Sequence, residues 1–169
     1  MGHLSMRWAC IALLIAPSLS SAQPFPDLNG EWGLVSQSTP GSAAYLSPIG
    51  LRGSIVQNAQ TLTLTPLVIT ASPSNLHGKP QTFPLDGSEV RETGVNATGE
   101  PIVWVSRAQR VSNAFLITTS HPRGTEPRWQ SLTVLSLTGE GELEILSVSP
   151  NLWPVGTTTS LRFVYRRKP

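Results

Sequence analysis

Glycine and proline interrupt this chain so often that, beyond Ala22, no ten-residue stretch free of them places apolar residues at i, i+3, i+4 and i+7. A helix that buries one face needs such a stretch, so the pattern confines the fold to β-structure. Thr61-Leu62-Thr63-Leu64-Thr65 supplies the opposite signal, a period of two in which leucines face one side and threonines the other. Period and punctuation together predict ten strands, at 31–37, 53–57, 60–66, 81–85, 88–92, 102–108, 114–119, 128–138, 142–149 and 160–166.

Facing residues of an antiparallel hairpin have a constant index sum, which makes register testable. Centring a turn on Glu140, between Gly139 and Gly141, sets Leu137 opposite Leu143, Leu135 opposite Ile145, Val134 opposite Leu146 and Leu132 opposite Val148. The apolar residues change parity between Val134 and Leu135 and again between Ile145 and Leu146, which predicts a coordinated bend or bulge there. Asp86-Gly87 is a favoured two-residue turn and sets Phe83 opposite Val90; Asn58-Ala59 sets Ile55 opposite Leu62.

The connections alternate in length. Segments 38–52, 67–80, 93–101, 120–127 and 150–159 are long, and those at 58–59, 86–87, 109–113 and 139–141 are short. In an up-and-down meander alternate connections lie at opposite ends, so the long loops share one rim. The expected fold is all-β: a single up-and-down antiparallel barrel of about eight to ten strands with long loops at one rim. Outer-membrane barrels share that asymmetry but need strands of about 9–11 residues, longer than most of these.

Residues 1–22 read as a targeting signal, with Arg7 ahead of the apolar run Trp8–Ala16, Pro17, and small residues Ser20-Ser21-Ala22 before a cleavage point near Ala22. The run is far below the roughly 20 residues of a membrane-spanning helix. Residues 23–28 then form a short Pro-rich linker and 29–167 the barrel domain, placed in the periplasm or secreted. The single Cys10 falls within the signal, which excludes an internal disulfide and cysteine-rich zinc sites. With 12 Lys+Arg against 10 Asp+Glu, the chain lacks the basic face that nucleic acid requires.

Gly30-Glu31-Trp32 at the start of the first strand resembles the Gly-x-Trp signature of lipocalins and related calycin barrels. The closing Phe163-Val164-Tyr165-Arg166-Arg167 resembles their last strand, where an arginine packs over that tryptophan. The similarity spans roughly 29–167 and is closest to the small lipocalin-like domains of exported bacterial proteins. Strand directions bring Arg166 or Arg167 near Trp32 independently of the resemblance. Gly30, Trp32, Arg166 and Arg167 are therefore expected to build the closed end, with a cation on the indole worth about 0.5–2 kcal/mol.

The open rim carries the candidate ligand contacts. Tyr45 and Trp153 lie in long loops, either stacking on a ligand or folding back as a plug. Trp104 and Trp129 lie in strands, where they line a ligand space or fill the core with Phe115. His121, on the loop 120–127, is a candidate contact or general base, and His77 shares the rim. Two histidines without an acidic or cysteine pattern do not make a zinc site, and the resemblance argues against haem, because haem-binding calycin-like barrels carry a longer Gly-rich motif around the first tryptophan that Leu34-Val35 interrupts here. No catalytic motif is present, and no metal or cofactor is expected. Glu142 and Glu144 alternate with Leu143 and Ile145 as outward strand residues. Two functions follow as expectations: a carrier of a small apolar or amphipathic molecule, with 38–52 as a lid, or a filled-barrel structural domain that contacts an envelope protein.

Overall fold

A computed structural model describes residues 25–38, 47–68, 79–95, 101–123, 126–150 and 158–169. They form ten strands: β1 (Gly30–Gln37), β2 (Arg52–Gln57), β3 (Thr61–Val68), β4 (Gln81–Pro84), β5 (Val90–Val95), β6 (Pro101–Val111), β7 (Ala114–Arg123), β8 (Glu126–Leu137), β9 (Leu143–Pro150) and β10 (Thr158–Arg167). All are antiparallel neighbours in one sheet of order β4-β3-β2-β1-β10-β9-β8-β7-β6-β5, an up-and-down meander in which the first strand pairs with the last. The sheet curls into a nearly closed barrel. Its seam is the β4–β5 edge, where a bridge from Asp86 to Gln109 of β6 and a hydrogen bond from Gln81 Nε2 to Glu92 Oε2 (2.8 Å) link the margins.

The β8–β9 register is the one that the index sum dictates: Leu137 faces Leu143, Leu135 faces Ile145, Val134 faces Leu146 and Leu132 faces Val148. Of the expected bend or bulge, the bulge is absent: the ladder runs through Val134 and Leu135 without a shift. A bulge would leave a backbone residue unpaired, and the strands instead keep every ladder bond and turn apolar side chains to both faces. Leu135, Leu143 and Ile145 are buried inside, while Leu116, Val134 and Leu146 form a half-buried cross-strand row outside.

Three other expectations are corrected. Phe83 does not face Val90, since β4 and β5 are the two edges of the sheet and share no ladder. Ile55 faces Leu64 rather than Leu62. Asn58 explains that shift: its Oδ1 accepts from the backbone N–H groups of Gln60 and Thr61 (2.8 Å each), holding a longer turn than Asn58-Ala59 alone. The third is the loop 120–127, most of which is strand. Ser120 pairs with Gln130, His121 with Trp129, Pro122 with Pro127 and Arg123 with Glu126, past a register shift between His121 and Pro122. Ladder pairing with β6 ends at Ser120 and with β9 at Leu132, so both prolines lie where a missing N–H costs no further pairing.

The core runs through the barrel from Leu28 and Trp32 to Ile55, Leu64, Phe115, Leu135, Ile145 and Phe163. Ser47–Gly50, the described end of the long β1–β2 connection, turns into this interior, where Ser47 and Ile49 are buried.

Candidate functional site

Rows of inward residues, read along the register, change character from one end of the barrel to the other. Near the tight turns Arg110, Phe115, Leu135, Ile145 and Phe163 follow one another across β6 to β10. One row nearer the long loops the sequence is Ala108, Ile117, Thr133, Ser147 and Leu161. The next contains Val90, Ser106, Thr119 and Ser131, and the next pairs Glu92 with Trp104. Across β5 to β10 the lining thus passes from largely aromatic and aliphatic to rows rich in hydroxyls and then to the Glu92–Trp104 pair. Ser106 and Thr119 hydroxyls lie 3.0 Å apart and those of Thr133 and Ser147 3.3 Å apart, so these four inward oxygens each meet a partner from the adjacent strand.

The tight-turn end is sealed. Trp32 is fully buried and its Nε1 donates to Leu28 O (2.9 Å). Of the two candidate arginines, Arg167 lies over the indole, its Cζ 4.9 Å from the ring centroid, and its Nη2 donates to Asp27 O (2.7 Å). Arg166 points to the outer face and pairs with Glu142 (2.8 Å). Gly30, at φ +130, lies under the Arg167 side chain. A second stack completes this end: Arg110 Cζ lies 4.8 Å from the Phe25 ring centroid and 5.7 Å from that of Phe115, and its Nη2 donates to Asn58 O. Sequence reasoning missed Arg110. The available signal was a charged residue at an inward position, two along from Ala108. Phe25 and Leu28 pack here too, within the segment expected to act as a linker.

On β10, Tyr165 anchors the inserted segment. Its hydroxyl lies 2.5 Å from Ser47 Oγ and 2.7 Å from the carbonyl oxygen of Gly50, to which it donates. Burial pushes the Tyr165 phenol well above its ordinary range, and the Ser47 contact offsets part of that rise. Gly53 makes room for the insertion: a Cβ there would stand 2.5 Å from Ile49 Cβ and 2.6 Å from its carbonyl oxygen. Neither residue was singled out from sequence, because their roles depend on a loop that returns into the core.

The remaining candidates divide. Trp104 sits half-buried on the inner face of β6 as the cross-strand partner of Glu92. His121 and Trp129 are cross-strand partners at the far end of β7 and β8. Tyr45, His77 and Trp153 lie outside the described residues. A depression of about 260 Å³ lies against β6 and β7, lined by Gly87, Arg107, Ala108, Gln109, Leu116 and Thr118. Among the described residues, no three His, Cys, Asp or Glu side chains gather as a metal site.

The fold and site thus define a ten-stranded antiparallel meander barrel, sealed at one end and polar-lined towards the other. Comparison of the chain with family models and with curated proteins found no match.

Proposed function

We propose that this protein is an exported, lipocalin-like barrel that holds a small amphipathic molecule in the long-loop half of its interior. The observation that carries the reading is the graded lining, aliphatic above the sealed floor and hydroxyl-bearing towards the rim. Such a gradient matches a ligand with one apolar and one polar end. The Trp32–Arg167 stack supports the lipocalin resemblance, and the segment from Arg7 to Ala22 supports export to the periplasm or beyond. Trp104 is the described aromatic best placed to contact the ligand; Tyr45, His121 and Trp153 belong to the same rim by sequence, and Trp129 is the cross-strand partner of His121.

Native against denaturing mass spectrometry of the protein purified from the exported fraction tests this. The expected result is a small organic mass that is stoichiometric in the native spectrum and lost on denaturation. A bare native mass, with no thermal stabilisation by extracted cell metabolites, overturns it.

A second reading, a filled-barrel domain that contacts an envelope protein through its loop rim, is supported by the insertion of Ile49 into the core. It predicts the bare mass and rim-specific cross-links to one envelope protein.

A further inference from the structure

Among the described side chains, charge pairing and burial together separate one glutamate from the rest. Glu31, Glu89, Glu142 and Glu144 each pair with an arginine: Arg52, Arg91 and Arg107, Arg166, and Arg162 respectively. Glu140 lies exposed in the β8–β9 turn. Glu92 differs from all of these. It alternates with Val90, which packs against the core, so it faces inward, half-buried, and among the described residues it has no cationic partner. Its carboxylate accepts a hydrogen bond from the neutral Gln81 amide across the barrel seam (2.8 Å).

Trp104 stands directly opposite Glu92 on β6 and faces the same interior, and the Ser106–Thr119 hydroxyl pair lies one row deeper. A carboxylate facing an indole across one ladder step is a recognised means of holding an organic cation. The carboxylate takes the N–H donors, and the ring face attracts the charge. Neutral hydroxylated ligands would be served by the Gln81 amide and the hydroxyls alone, and would leave the Glu92 charge uncompensated in a partly desolvated site.

We infer that the ligand is an organic ammonium, a primary or secondary amine on a small apolar skeleton. Its nitrogen lies between Glu92 and Trp104, and its carbon frame is directed down the barrel towards Val90 and Phe83. This inference rests on the reading of the long-loop half as a binding site and adds the chemical class of what it binds.

The test is calorimetric titration of the purified protein with phenethylamine and with phenethyl alcohol, near-isosteric probes that differ in charge, repeated on Glu92→Gln and on the outer-face control Glu89→Gln. The expected result is an amine preference of about tenfold or more in the unaltered protein. That preference should fall towards unity in Glu92→Gln and persist in Glu89→Gln. The probe ratio in the unaltered protein decides the matter even if Glu92→Gln folds poorly. Equal affinity for the two probes overturns the ammonium class and leaves the binding reading standing. An amine preference that survives Glu92→Gln overturns the assignment to Glu92. Binding of neither probe overturns the inference, and the mass-spectrometric experiment then judges the binding reading separately.

Discussion

At the residue scale, Trp32 joins three parts of the chain. Its indole N–H is satisfied by Leu28, its ring is covered by Arg167 and its body fills the core. Trp32→Ala should therefore cost about 3–5 kcal/mol, as truncations of fully buried aromatics do. A denaturant titration checks this, and an unchanged midpoint would mean that the floor is held by the Arg110 stack instead. Tyr165 makes a pH-dependent contribution. Its folded-state pKa is raised above the ordinary value of 10.0, so the unfolded chain releases the phenolic proton first as pH rises. Stability from this group is fully present below pH 10 and declines above it. Tyr165→Phe should flatten that alkaline decline of the melting temperature while lowering stability at neutral pH by about 1–3 kcal/mol, since Ser47 and Gly50 lose a buried partner.

At the scale of elements, turns and registers were legible to different degrees. The β8–β9 pairing follows from local spacing, because the short turn around Glu140 leaves little freedom of register. The β2–β3 pairing was misread since Asn58 caps its own turn through its side chain, an interaction that spacing does not encode. The β4–β5 hairpin did not form for another reason: the sheet closes through β1 and β10, which leaves β4 and β5 as its two edges with no ladder between them. The β6–β7 turn carries a local cost. Ser112 holds a φ of 53°, a left-handed conformation that disfavours residues with a Cβ by about 1–2 kcal/mol. Ser112→Gly should relieve this at a smaller entropic cost and raise the melting temperature, as differential scanning calorimetry would show.

At the scale of the whole molecule, the outer wall is held partly by exposed ion pairs. Arg107, and then Arg91, holds the Glu89 carboxyl below its ordinary 4.5, and hydrogen bonds from Ser88 hold Asp86 below its ordinary 3.8. These groups add stability above those values and lose it as pH falls through the lower folded-state values. The melting temperature should fall on acidification below about pH 4.5, less steeply in Glu89→Gln, and added salt should weaken the difference between the two proteins.

The sequence by itself determined the β-class, the order of ten strands, their up-and-down course and the arginine-capped tryptophan that begins the barrel. Each follows from contacts between near neighbours in the chain or from the direction of successive strands. It left open which arginine covers Trp32, and register resolves this: Trp32 is the cross-strand partner of Arg167, while Arg166 projects to the other face. Tertiary structure alone decided that the β1–β2 connection returns into the core under Tyr165 and that Arg110 caps the floor. It alone set Glu92 against Trp104 on the inner face. The first two relations join residues far apart in the chain, the third depends on a register that a long connection leaves free, and alternation within one strand cannot tell which face a curled sheet will turn inward.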